Sequence, residues 1–270
     1  METSIMSLCT KAASEGNLKV LKDLRQWDVQ TCKMAAKGGH LEVLKWLREN
    51  RCEWDYTTCQ EAVRNNHFEV LKWARDHGCP WHSCLTMEAC RNGNMFMLQW
   101  LIENNCRWSY NACDEAACNG HLEILQWAIN NGANWSTVTF WKAASSGNIE
   151  IMEWLFTNGC PFDKSVCGVL AKNGNFELLK WARKKGFPWD ENVCSNSAIK
   201  GHTDILKWSV QNGCPWDSST TTNLAMTGNL ELLRWALINS CPWDKFTLNA
   251  SEKSGNEHVH LYFKNSGYYD

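Results

Sequence analysis

Thr58-Cys59-Gln60-Glu61-Ala62-Val63-Arg64, a break at Asn65-Asn66, then His67-Phe68-Glu69-Val70-Leu71-Lys72-Trp73-Ala74-Arg75 and Gly78-Cys79-Pro80-Trp81: this stretch holds two helical patterns and the punctuation between them. Cys59, Ala62 and Val63 recur three and four apart, so the first segment reads as a short helix with a narrow buried face. In the second, Phe68, Val70, Leu71, Trp73 and Ala74 cover more than one face, as expected of a helix held between two layers. Asn65-Asn66 breaks the chain. Glu69, two residues after His67, suits the positive end of the second helix, and Gly78 with Pro80 ends it.

Working outward, the same unit repeats along the chain. Trp46, Trp73, Trp100, Trp127, Trp154, Trp181, Trp208 and Trp235 are each 27 residues apart, and a second ladder, Trp54, Trp81, Trp108, Trp135, Trp189, Trp216 and Trp243, keeps the same period. Phe162 fills the vacant rung of the second ladder, Trp27 begins it, and only Trp141 stands outside both. All five prolines (Pro80, Pro161, Pro188, Pro215 and Pro242) share one column. A period this short cannot close a core of its own, so each unit must bury its apolar face on its neighbours, which is the logic of a solenoid. Asn131-Gly132, Asn158-Gly159 and Asn212-Gly213 are expected to end second helices. Asp55, Asp163, Asp190, Asp217 and Asp244 are placed to cap the following first helices, and the histidines of the break (His40, His67, His121, His202), which alternate with asparagine in sister units, read as caps of the second.

The block Ala35-Ala36-Lys37-Gly38-Gly39-His40-Leu41-Glu42-Val43-Leu44-Lys45-Trp46-Leu47 resembles the ankyrin repeat, whose units share Ala-Ala-x-x-Gly-His-x-Glu followed by an apolar run, and the pattern returns at Ala116-Ala117-Cys118-Asn119-Gly120-His121-Leu122-Glu123-Ile124-Leu125. The resemblance implies an all-α ankyrin-type helical solenoid of about ten repeats. Measured against the family's usual unit, the residues missing here come from the tip of the projecting β-hairpin, so the fingers are expected to be reduced. The shortened unit is similar to arrays of large DNA viruses, protists and oomycetes. The domain reading is one array over residues 1–270: an N-terminal capping repeat over 1–28 with a shortened second helix (Leu18 to Gln26), eight regular repeats over 29–244, and a C-terminal capping repeat over 245–270.

Composition narrows the function. With 27 basic against 29 acidic side chains the formal net charge is -2, which removes the positive field that nonspecific nucleic-acid binding needs. The row Lys45, Lys72, Lys180, Lys207 and Arg234 is neutralised by acids three residues earlier, Glu42, Glu69, Glu177, Asp204 and Glu231. The longest uncharged apolar stretch, Asn92 to Ile102, is too short for a membrane span. The fifteen cysteines read as reduced thiols of a cytoplasmic protein, or of a host cytoplasm if the origin is viral. They form two columns, Cys52, Cys79, Cys106, Cys160, Cys214, Cys241 and Cys9, Cys32, Cys59, Cys113, Cys167, Cys194, within which neighbours stand about a helix diameter apart, too far for a shared zinc. The expectation is small buried hydrophobes and no metal or cofactor. No nucleophile, base or phosphate-loop motif occurs, so no catalytic residue and no small-molecule substrate are assigned.

What varies between sister units points to binding. Lys33, Gln60, Met87, Asp114, Trp141, Gly168, Ser195 and Thr222 share one column of the first helix and are all different, beside alanine columns that hardly change. Four residues on, Lys37, Arg64, Arg91, Cys118, Ser145, Lys172, Ile199 and Met226 lie on the same face. By the resemblance this face lines the concave groove that commonly contacts protein partners. The candidate partner-binding residues are Trp141, Met87, Asp114, Arg64, Arg91, Gln60 and Lys37, with Trp141 as an exposed aromatic anchor and Arg91 and Asp114 as its polar rim. The function implied is a monomeric, non-catalytic protein-protein interaction scaffold. One alternative is an adaptor delivering targets to a ubiquitin ligase or host complex, beside which a recruiting domain such as an F-box is expected. Another, of a different class, is a thiol-dependent metal-binding or redox protein.

Overall fold

In the computed structural model, which describes residues 2–266, the chain folds into twenty helices and no strands among the described residues. Two units divide it, up to Trp135 and from Ser136. The first pairs α1 (Glu2–Ser14) with α2 (Leu18–Leu24), α3 (Val29–Lys37) with α4 (Leu41–Glu49), α5 (Tyr56–Arg64) with α6 (Phe68–Asp76), α7 (Cys84–Arg91) with α8 (Met95–Glu103), and α9 (Ala112–Cys118) with α10 (Leu122–Asn130). The second pairs α11 (Thr137–Ser146) with α12 (Ile149–Thr157), α13 (Ser165–Lys172) with α14 (Phe176–Lys184), α15 (Glu191–Lys200) with α16 (Thr203–Gln211), α17 (Ser218–Thr227) with α18 (Leu230–Ile238), and α19 (Lys245–Lys253) with α20 (Glu257–Asn265). Within each unit the odd-numbered helices pack against one another in a row, each with its partner behind it. The β-hairpin fingers are missing among the described residues, as the shortened repeat implies.

The punctuation acts as read. Asp55, Asp190, Asp217 and Asp244 accept hydrogen bonds from backbone N–H groups two or three residues on, satisfying donors that the helix start leaves open. Asp163 does the same toward the Ser165 N–H at 2.9 Å. Gly132, Gly159 and Gly213 turn the chain at φ of +77° to +87° behind the second helices.

The histidines of the break do something else. Asn94, Asn148 and Asn229 cap their helices through the side chain, whereas His40, His67, His121 and His202 make no such bond. Their rings reach back to the preceding repeat, where Nε2 bonds the carbonyls of Ser14, Lys37, Arg91 and Lys172 at 3.0 to 3.2 Å. Asn256 also reaches back, donating to the Met226 carbonyl at 3.0 Å without capping its own helix. The glycine of the preceding break makes room: a Cβ on Gly39, at φ +74°, would stand 2.6 Å from the His67 ring.

The deepest core is aliphatic. Leu44, Leu71, Leu98 and Leu125 of the first unit are fully buried, as are small residues of the odd-numbered helices such as Cys32, Ala35, Ala36, Cys59, Ala62 and Val63. Small side chains let those helices stack closely, and each buried leucine contributes about 1.5–3 kcal/mol. The tryptophans are half-buried, apart from Trp243, which is exposed. The two ladders meet ring on ring, edge to face at Trp27 on Trp46 and Trp54 on Trp73 and tilted at Trp81 on Trp100 and Trp108 on Trp127, with centroids 5.0 to 6.0 Å apart. An indole is too large for the space an alanine face leaves, so the ladders seal the margin of the core. In the second unit Phe162 substitutes for the indole, and Phe140 and Phe187, both fully buried in the cysteine columns, fill the space it leaves; Phe162 stacks on Phe187 at 3.9 Å.

Candidate interaction face

The candidate residues divide between the units: Lys37, Gln60, Arg64, Met87, Arg91 and Asp114 lie on odd-numbered helices of the first, Trp141 on α11 of the second. Lys37 ends α3 with its side chain exposed and its carbonyl taken by His67. Met87 is half-buried on α7. Asp114 departs from expectation: at 7% exposure it is interior, because it falls in the first turn of the short α9 and faces the row rather than solvent. Trp141, expected to be exposed, is half-buried on α11.

Gln60, Arg64 and Arg91 are brought together by the acids of a neighbouring column, Glu61, Glu88 and Glu115. Glu88 of α7 is completely buried. Its Oε1 accepts from Gln60 Nε2 at 3.0 Å and from Arg64 Nε and Nη2 at 3.2 and 2.6 Å. Its Oε2 accepts from Arg91 Nη1 at 2.8 Å. Arg64 also donates to Glu61 at 2.8 Å and Arg91 to Glu115 at 2.9 Å. Three carboxylates and two guanidiniums thus alternate across α5, α7 and α9, and the planar fork of arginine is what lets each cation hold two acids. Burial works against the charge on Glu88, but the hydrogen bonds from Arg64 and Gln60 and the charge of Arg91 outweigh it and hold its carboxyl below the ordinary range. Arg64 and Arg91 are pushed up, chiefly by their hydrogen bonds to Glu88 and Glu115.

The signal was available: Glu61, Glu88 and Glu115 are 27 residues apart, with Arg64 and Arg91 each three residues later. In the second unit the same column holds Asn196 and Asn223, whose amides donate to the carbonyls of Gly168 and Ser195 at 3.0 Å. One column therefore ties neighbouring repeats by two chemistries. The arginines keep 43% and 38% of their side chains exposed, so the first unit presents two immobilised guanidinium edges beside Met87. The second unit presents exposed Ile199 and Met226 at the matching positions.

The expected neutralisation of the outer lysines holds at Lys45 with Glu42 and Lys180 with Glu177, at 2.7 and 2.9 Å. Lys207 and Arg234 lie instead over the rings of Trp235 and Tyr262. No group of three or more metal-ligating side chains is arranged around a common point among the described residues. The cysteine columns are nonetheless closer than their separate reading implies, for they meet in the three repeats that keep both cysteines, at Cys32 with Cys52, Cys59 with Cys79 and Cys194 with Cys214; Cys32 Sγ is 3.1 Å from Cys52 Sγ. No helix among the described residues is long and apolar enough to cross a membrane.

Comparison with known proteins agrees with this architecture. The family model described as ankyrin repeats (many copies) matches residues 32–75, and that described as ankyrin repeats (3 copies) matches 60–139 and 86–166. No curated protein matches in sequence. Among solved structures, the crystal structure of the human ASB11 ankyrin repeat domain is similar, with a TM-score of 0.50 and 17% identity over 66% of this chain and 96% of that one.

Proposed function

Because the chain carries ankyrin repeats and folds as their all-α solenoid, we propose that it is a non-catalytic scaffold that captures a protein partner on the face of its odd-numbered helices. The observation that carries the reading is the pair Arg64 and Arg91, half-exposed yet fixed by the buried Glu88. A side chain already held in place loses little entropy on binding, which is how a rigid array turns a few anchors into affinity. Gln60, Met87 and Lys37 flank the arginines, and Trp141 is a separate anchor on the second unit. Asp114 is left to the interior. The helix pairs within 1–28 and 245–270 act as caps on one array, and the chain works as a monomer. A reducing compartment, the cytoplasm or that of a host, suits its mostly buried thiols.

Affinity capture from the source cell, followed by mass spectrometry, tests this with wild type, Arg64→Ala/Arg91→Ala, Trp141→Ala and the outer-row control Lys45→Ala. The double variant and Trp141→Ala are each expected to weaken capture by about 2 kcal/mol, the scale of an interface hot spot, while Lys45→Ala captures as wild type does. Equal capture by wild type and all three variants refutes the assignment of the face.

A further inference from the structure

The meeting of the two cysteine columns has a chemistry that protein capture does not use. Cys32, in the first turn of α3, and Cys52, in the loop after α4, close one repeat upon itself with their sulfurs 3.1 Å apart. A disulfide needs about 2.05 Å, a closure within reach of small side-chain rotations. Zinc would need two further ligands, and none converge here among the described residues. The pairing is a built feature of the repeat: Cys59 and Cys79 stand at the same spacing in the next one, as do Cys194 and Cys214 in the second unit.

The surroundings favour one sulfur as the attacker. Cys52 Sγ lies 3.1 Å from the Asp28 carbonyl, and Arg48, stacked 4.2 Å over Trp54, donates to the carbonyl of Cys52 itself. The hydrogen bond from Cys32 lowers the Cys52 thiol against its burial, and the nearby Arg48 charge adds to this, while Cys32 is pushed up. Cys52, in the loop, is the sulfur that opening of that segment exposes first, and Cys32, held in the helix, is the resolving thiol.

We infer that Cys32 and Cys52 form an oxidisable dithiol, a modification site that takes a low-molecular-weight disulfide of the glutathione type and closes to a disulfide inside one repeat. The Cys52 thiolate attacks one sulfur of the reagent, forming a mixed disulfide and releasing one thiolate, which takes up a proton. Cys32 then gives up its proton and attacks Cys52 Sγ, displacing the second thiolate. Two protein thiols are oxidised and one reagent disulfide is reduced to two thiols. The bond ties the start of the first helix to the loop behind the second, so the oxidised repeat unfolds less readily.

Both sulfurs are buried, so the reagent enters when the loop around Cys52 opens, more slowly than it reaches the half-exposed Cys84 and Cys118. The test therefore uses the full chain carrying Cys84→Ser and Cys118→Ser, incubated with oxidised glutathione, alkylated and digested with trypsin. Cleavage after Lys33, Lys37, Lys45, Arg48 or Arg51 puts the two thiols on separate peptides and a second digestion with chymotrypsin, after Trp54 or Tyr56, parts Cys52 from Cys59, so the bond reads as the Cys32 and Cys52 peptides joined and lacking two hydrogens. The joined pair is expected, reversed by dithiothreitol, together with a thermal midpoint several degrees higher. Cys32→Ala in that background is expected to leave Cys52 trapped as the glutathione mixed disulfide. Recovery of Cys32 and Cys52 as free thiols alkylated only after denaturation, or a Cys52 adduct that persists while Cys32 is present, overturns the inference.

Discussion

Replacing Glu88 with glutamine removes one charge and leaves the shape, which makes it a direct probe of what holds the first unit's odd-numbered row together. Four hydrogen bonds converge on the two oxygens of this fully buried side chain, three on Oε1 and one on Oε2. Glutamine keeps one acceptor and turns an NH2 toward an arginine, so at least one guanidinium loses its partner. Removing one member of a fully buried ion pair costs about 3–5 kcal/mol. Here the cations are 43% and 38% exposed and can turn to water, which lowers the expectation to about 2–3 kcal/mol. Guanidinium melts followed by circular dichroism and tryptophan fluorescence measure it, compared by midpoint because a repeat array need not unfold in one step. The pH dependence sharpens the test. The folded carboxyl titrates below its ordinary value, near 4.3 when unfolded, so its contribution is complete above that value and fades as pH falls through the lower, folded one. The gap between wild type and Glu88→Gln is therefore flat from neutral pH to about 5 and closes in acid. A loss under about 0.5 kcal/mol at pH 7, or a gap that persists unchanged into strong acid, refutes the reasoning.

Leu125→Ala, at a fully buried site, is expected to lose about 3–4 kcal/mol and the half-buried Trp127→Ala about 2, and an urea melt that ranks them the other way returns the ladder to the centre of the core. Gly39→Ala meets both a left-handed φ of +74° and the His67 ring at 2.6 Å, and should cost about 2–3 kcal/mol; Gly78→Ala, with φ +82° and open space around it, should lose only the conformational part, about 1–2. Equal losses at the two glycines in thermal melts would remove the histidine ring from the account.

What could be read before the fold was known is what repeats. A 27-residue period in tryptophan, proline and glycine determines the number of helices, their order and their caps, because every unit meets the same neighbours and packing selects the same residue at each rung. The directions of side chains across the row were not legible in the same way. Histidine and asparagine alternate at one position, yet Asn94, Asn148 and Asn229 cap their own helices while the histidines, and Asn256 with them, reach carbonyls of the unit before. Variation likewise was read as exposure, yet Asp114 is variable and buried, and Trp141 is variable and half-buried. The two cysteine columns were treated as separate because each has its own rung in the sequence, and only the path of the chain from α3 through α4 brings Cys32 onto Cys52. The glutamate column shows the physical reason for all of these. Glu61, Glu88 and Glu115 are periodic, but whether a periodic acid faces water or an arginine of the next repeat depends on which helix face the neighbouring unit covers. That choice is made between repeats, so the bonds that join repeats, and the arginine edges they leave for a partner, become visible only when two rungs are seen side by side.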